Sequence, residues 1–214
     1  FTQFADEGPL LKHGFARRTM WKLMRVDTVG TTPQAVLQLE DSAATRAIWP
    51  YAFRATLTVT VGGASLRLEF AVHNTGSKSF AFTGALHTYL HVNDIAQTVV
   101  ENLAGVCYQD AVTGVRGVLQ TEPELRFAGE VDRAYCQAPA QVVVREPERR
   151  VTVRASGFAD IVVWNPGPTR CAELVDMEPT SYRNMVCVEA AVVGVPAEVP
   201  AGASWYGMQE LTVQ

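Results

Sequence analysis

The stretch that decides the fold is Thr-Leu-Thr-Val-Thr-Val (56–61), Gly-Gly (62–63), Ala-Ser (64–65) and Leu-Arg-Leu-Glu-Phe-Ala-Val (66–72). In its first arm the threonines point one way and Leu57, Val59 and Val61 the other. In its second arm Leu66, Leu68, Phe70 and Val72 share one face. Period-two alternation on both sides of a glycine turn is a β-hairpin pattern. Working outward, Asn74 to Lys78 carries Asn, Gly and Ser and reads as the next turn. Phe80 to Val92 reads as one long third strand. Further strands are expected at Trp21–Asp27, Ala35–Leu39, Val131–Tyr135, Gln141–Arg145, Arg150–Ala155, Ile161–Trp164, Met185–Val193 and Ser204–Val213. Helical signals are confined to Ser42–Ile48, with Ser42 as cap, and Thr169–Val175, which follows Pro166 and Pro168. Many short strands with regular turns predict an all-β chain, an antiparallel sandwich or barrel whose free sheet face lines a cleft.

The chain has 214 residues, 48% hydrophobic and 19% charged, with no repeat or linker that divides it, so one domain spanning 1–214 is expected. The net charge of -4 argues against nucleic acid or an anionic membrane as partner, and an anionic small substrate would need a local basic pocket. No stretch approaches the roughly 18 apolar residues of a membrane span, and Phe1 to Leu11 has no signal-peptide architecture. Cys107, Cys136, Cys171 and Cys187 show neither CxxC nor metal-finger spacing. Cys107 and Cys187 lie in apolar runs and read as small buried hydrophobes, which favours a reducing, cytoplasmic compartment. No metal or organic cofactor is signalled. The chain does not begin with Met, and residues upstream are expected.

Polar residues on these strands mark candidate chemistry. On Phe80–Val92, Phe80, Phe82, Leu86, Leu90 and Val92 form an apolar face, with Thr83, His87, Tyr89 and His91 opposite. On Met185–Val192, Glu189 is a lone carboxylate in a strand apolar on both faces, and burying it is costly without partners or a wet cleft. Composition alone leaves His87 open between a hydrogen-bonded histidine and a catalyst. His73 reads as solvent-exposed, and His91 as nearer a strand end with at most a supporting role.

Several segments in order resemble the glucose-6-phosphate 1-epimerases: Phe1-Thr-Gln-Phe4, Gly8-Pro9, His13-Gly-Phe-Ala-Arg17 and Trp21; Trp49-Pro-Tyr-Ala-Phe53; Phe82-Thr-Gly-Ala-Leu-His-Thr-Tyr89; Val131-Asp-Arg-Ala-Tyr135; Val163-Trp-Asn-Pro166; Asp176-Met177 with Met185-Val-Cys-Val-Glu-Ala190; and Gly202-Ala-Ser-Trp205. The resemblance implies a galactose-mutarotase-like β-sandwich that interconverts the α and β anomers of a hexose 6-phosphate without a cofactor, as a monomer whose only partner is the sugar phosphate. It implies His87 as general acid, Glu189 as general base, Asp132 as a carboxylate that binds sugar hydroxyls, and His13 and Arg17 at the sugar and phosphate end. Lys12 and Arg54 are possible helpers there, whereas Arg18, Arg149 and Arg150 read as surface charges and Glu146–Arg150 as an exposed turn. The chain departs from the family in lacking N-terminal strands that carry a Gly-Gly-Ile-Pro-type motif and another arginine. It also has Gly167 where many members carry Trp, which is expected to widen the cleft. On this reading the imidazole of His87 and the carboxylate of Glu189 confront each other over a space sized for a pyranose. Two other readings are a mutarotase of unphosphorylated aldoses, disfavoured by Arg17, and a non-catalytic sugar-binding module, disfavoured by the presence of both proton-transfer groups.

Overall fold

A computed structural model describes residues 1–6, 8–30 and 32–214, with Val29 described by its backbone only. In chain order the strands are β1 (Lys22–Val29), β2 (Thr32–Glu40), β3 (Phe53–Gly62), β4 (Ser65–Asn74), β5 (Phe80–Leu86), β6 (Tyr89–His91), β7 (Val99–Glu101) and β8 (Cys107–Asp110). They continue with β9 (Val118–Leu119), β10 (Glu124–Arg126), β11 (Val131–Tyr135), β12 (Gln141–Arg145), β13 (Arg150–Ser156), β14 (Asp160–Asn165), β15 (Met185–Val199) and β16 (Ser204–Val213). The α-helices among the described residues are α1 (Ala43–Ile48) and α2 (Gly167–Glu173). Neither is long and apolar enough to cross a membrane.

All strand pairs are antiparallel and form two sheets. The larger has the order β1-β2-β3-β4-β16-β13-β12-β7-β10, and the smaller β5-β15-β14-β11-β8-β9, with β6 paired to β15. The hairpin at 56–72 is the β3–β4 pair, in register from Phe53↔Asn74 to Gly62↔Ser65. One core fills the space between the sheets. Phe53, Phe70 and Val72 from the larger meet Phe82, Val163, Val186 and Val188 from the smaller. Edge-on aromatic pairs such as Phe82–Trp205, centroids 5.2 Å apart, join the layers.

The expected long strand 80–92 is broken. β5 stops at Leu86, His87 and Thr88 leave the ladder, and β6 resumes at Tyr89. The alternation of faces survives the break: Leu90 and Val92 are buried, and His87, Tyr89 and His91 are exposed. β15 runs six residues past its expected end, through a register shift between Val192 and Ala197. The buried carboxylate of Asp160 holds this irregularity by accepting from Val193 N–H and Gly194 N–H, both 2.7 Å. β7 to β10 carry too few alternating residues to be read from the sequence. α1 begins as expected at Ser42, whose hydroxyl accepts from Thr45 N–H (3.2 Å) in a reciprocal cap.

Gly167 opens α2 two residues earlier than expected, and it does not widen a cleft. It is buried at φ +60, and a Cβ there would lie 2.5 Å from Glu130 N. Close backbone approach therefore requires glycine at this position. Four further expectations are corrected. Cys107 is exposed, because it alternates with the buried Tyr108 and so takes the outer face. His73 is half-buried, with Nδ1 2.9 Å from Ser204 Oγ. Glu146 is buried, accepting from Asn93 N–H (2.6 Å) and Arg149 Nε (2.8 Å), so its turn is anchored. Arg54 lies on the larger sheet and pairs with Glu40 (2.9 Å), away from His87.

Candidate active site

Strand register brings distant residues together on the face of the smaller sheet turned away from the main core. Glu189 on β15 pairs with Val162 on β14, and Ala190 pairs with Leu86, so the break after β5 sets His87 beside Glu189. One row along, Cys187 pairs with both Trp164 and Tyr89, and Trp164 pairs with Asp132. Directly paired residues project to the same side of a sheet. Tyr89, Cys187, Trp164 and Asp132 therefore form one row, next to the row that holds His87 and Glu189. Ala134, Val162, Ala191 and Val193 form a small apolar cluster on this face, packed against Phe4 and Ala85.

The N-terminal segment lies over one side of this floor. Thr2 bridges to Thr83, and Phe4 N–H donates to the Thr83 hydroxyl (2.7 Å). His13 follows at φ +63, its ring edge-on to that of His87 with centroids 6.3 Å apart. Its Nδ1 accepts from Ala5 N–H at 3.4 Å. Burial, then the charges of Arg17 and Lys12, lowers its pKa to about 4. A neutral imidazole that accepts at Nδ1 carries its proton on Nε2, which leaves Nε2–H as the free donor.

Nδ1 of His87 lies 3.4 Å from Oε1 of Glu189. The pair is thus in contact and does not stand a pyranose width apart. Tyr89 stacks on the imidazole (4.8 Å, 13°) and Trp164 meets it edge-on (5.9 Å), which fixes its plane. The side chain of His87 is 37% exposed, while Glu189 is 3% exposed. Among the described residues no hydrogen bond reaches the Glu189 carboxylate. The other buried acids, Asp160 and Glu146, each accept backbone N–H groups. Burial, followed by the nearby charge of Asp132, pushes Glu189 up to about 8. Burial and then Arg17 push His87 below 6.5. Asp132 is raised by burial first and by Glu130 next.

Arg17 is the middle residue of a short 3-10 turn, Ala16–Arg18, and is exposed. It donates to Lys12 O (3.2 Å), and no carboxylate among the described residues pairs with it. Its charge is felt at His13, His87 and Tyr89. Lys12 pairs with Asp6 at 3.6 Å. Beyond Tyr89 an open hollow of about 600 Å³ continues past Asp176, Thr180 and Asn184.

Two contributors were not found from the sequence. Trp164 joins the site only through the β14–β15 register. Gln209 of β16 is fully buried (0%) and reaches across the core from the larger sheet. Its Nε2 donates to Val188 O (2.9 Å) and its Oε1 accepts from Thr88 Oγ1 (2.6 Å). It thereby braces the backbone beside both His87 and Glu189. The signal available was a lone amide on the inward stripe Trp205, Gly207, Gln209, Leu211.

With this geometry in place, comparison with known proteins decides the family. A sequence profile described as aldose 1-epimerase matches residues 1–212. The chain belongs to the aldose 1-epimerase family. A relative from Cenchrus ciliaris, provisionally named a glucose-6-phosphate 1-epimerase, is 32% identical over 96% of this chain and 65% of its own length. One of the same provisional name from Escherichia coli is 30% identical over 89% of this chain and 63% of its own. The chain thus spans about two thirds of the length of these curated relatives. A crystal structure from Salmonella typhimurium, provisionally titled a mutarotase, superposes over the whole chain and 72% of its own with a TM-score of 0.90 at 29% identity. A Synechocystis protein of 21% identity shares the fold, with a TM-score of 0.80 over 96% of this chain and 69% of its own.

Proposed function

We propose that this aldose 1-epimerase family member interconverts the α and β anomers of a hexose 6-phosphate, with His87 and Glu189 moving the protons and Arg17 holding the phosphate. The observation that carries this reading is the Glu189 carboxylate. It is buried without a hydrogen-bond donor among the described residues, in contact with a half-exposed imidazole and within the field of an arginine that has no acidic partner there. A protein places an ionisable group at such cost where a substrate group completes it.

The reaction opens a hemiacetal. The O1 proton leaves to one member of the pair, the C1–O5 bond breaks, O1 becomes a carbonyl oxygen, and O5 takes a proton from the other member. Rotation about C1–C2 presents the opposite aldehyde face, and closure reverses both transfers. The pair therefore needs one proton in total. With Glu189 at about 8 and His87 below 6.5, that proton rests on Glu189 at neutral pH before substrate arrives. Phosphate beside Arg17 offsets one cause of the His87 depression, and sugar hydroxyls donating to the carboxylate favour its ionised form. Substrate thus drives the proton toward the imidazole, giving His87 as acid and Glu189 as base. Each transfer contributes roughly 10²–10⁴-fold. Asp132 accepts from sugar hydroxyls, and His13 donates through Nε2–H.

The test is magnetisation-exchange NMR on the anomers of glucose 6-phosphate, beside free glucose and the Glu189→Gln variant. Accelerated exchange is expected for the phosphorylated sugar, little for glucose, and near-background rates for the variant. Equal acceleration of both sugars would replace the substrate by an unphosphorylated aldose. Binding without exchange would leave a non-catalytic module.

A further inference from the structure

The floor of the site holds a third group that anomer exchange does not use. Cys187 precedes Glu189 by two residues on β15, so thiol and carboxylate leave the strand on the same face. The Cys187 sulfur, a ring nitrogen of His87 and a carboxylate oxygen of Glu189 all lie within 4.8 Å of one another. Cys187 is 0% exposed, and among the described residues its thiol, like the carboxylate, has no hydrogen-bond partner. The thiol and the carboxylate converge on one point under the imidazole and form a set of three donors that one cation can bridge.

The donor set selects the ion. Magnesium and calcium take oxygen ligands, whereas sulfur with imidazole and carboxylate suits zinc and its d¹⁰ relatives. Bonds of about 2.0–2.3 Å around a tetrahedral ion bring the donors within roughly 3.3–3.8 Å of each other. Two of the three groups sit on one strand, His87 Nδ1 already lies 3.4 Å from Glu189 Oε1, and shifts of about 1 Å in the donors close the set around an ion.

We propose that His87, Cys187 and Glu189 form a binding site for a thiophilic dication such as Zn²⁺, with the fourth position open toward the cleft. Binding releases to solvent the proton of the Cys187 thiol and the proton that His87 and Glu189 share, with no change of oxidation state. The site itself rests on geometry alone. Its consequence rests on the mutarotase reading: an ion held by both proton-transfer groups blocks them, so zinc acts as a reversible inhibitor.

The test uses the whole chain, its Cys187→Ser variant, and Cys107→Ser as a control for the exposed thiol. Zinc chloride binding is followed by calorimetry, and cobalt(II) by its thiolate charge-transfer absorption. Anomer exchange is measured with and without zinc, and thermal melts verify that the variants are folded. Expected are one zinc per chain, a cobalt–thiolate band that survives Cys107→Ser and disappears in Cys187→Ser, and at least 10-fold weaker zinc binding in Cys187→Ser. Relative to its own metal-free rate, exchange by that variant should lose its zinc sensitivity. An unchanged zinc affinity in folded Cys187→Ser, or no thiolate band in the parent chain, overturns the site. Magnesium inhibiting as well as zinc does so too. Because binding is read without turnover, failure of the mutarotase reading would leave the metal result standing, and intact binding without inhibition would remove only the consequence.

Discussion

Replacing Gln209 by Leu tests how the larger sheet holds the catalytic pair in place. The amide donates to Val188 O at 2.9 Å and accepts from the Thr88 hydroxyl at 2.6 Å, with no exposure to water. Leucine preserves most of the volume and removes both bonds. The Thr88 hydroxyl keeps an alternative acceptor in Leu86 O at 3.2 Å, so its loss is a net bond of about 1 kcal/mol. Val188 O is left buried without its donor, at about 1–3 kcal/mol. The total of about 2–4 kcal/mol lowers Tm by roughly 5–12 °C in a chain of this size. The same change frees the turn at His87–Thr88 and the strand before Glu189. A displacement of about 1 Å at reacting groups costs on the order of 10²-fold. Anomer exchange well below Tm should therefore fall 10- to 100-fold. Val153→Ala, a buried truncation on β13, is the control: it loses roughly 2–3 kcal/mol to transfer and cavity terms and leaves exchange unchanged. If Gln209→Leu were to lose stability but exchange at the parent rate, the amide would be a core bond only. If it melted with the parent chain, the cost assigned to the orphaned carbonyl would be refuted.

Glu189 titrates near 4.5 when unfolded and at about 8 when folded. Its proton is held by both states below the first value. Between the two, the unfolded state loses it first, so stability falls as pH rises, by up to about 1.4 kcal/mol per unit. Glu189→Gln should therefore be inactive yet more stable than the parent at pH 8, with the gap closing toward pH 5; denaturant melts across that range check it. The pH profile of kcat/KM should be bell-shaped, with an upper limb near 8 as Glu189 loses the shared proton and a lower limb below 6.5 as His87 gains a second. Undiminished activity at pH 9.5 would contradict it. Arg17→Ala removes a charged contact of about 1.5–3 kcal/mol, so KM for glucose 6-phosphate should rise 10- to 100-fold with free glucose unaffected. The acid limb should also move to higher pH, since Arg17 is one cause of the low His87 pKa.

What the amino-acid sequence determined by itself is whatever depends on near neighbours along the chain. Alternation around Gly62-Gly63 specified the β3–β4 hairpin, because a one-residue slip in register would turn the buried Phe70 and Val72 out of the core, and the half-buried Leu66 and Leu68 with them. Parity placed His87 with Tyr89, and the cost of an isolated carboxylate singled out Glu189. Tertiary structure decided what depends on which strands become neighbours. The β5–β15 pairing turns residues 87 and 189 into a contact at 3.4 Å, and the β14–β15 register adds Trp164 and Asp132 to the floor. It decided also that Cys107 is exposed near the edge of the smaller sheet while Cys187, on the same face, is buried within it, since similar apolar surroundings in sequence do not say where in a sheet a strand lies. Gln209 reaches the site from the opposite layer, a distance that no local pattern encodes. The pKa values of the pair, likewise, are set by burial and by charges brought close only on folding.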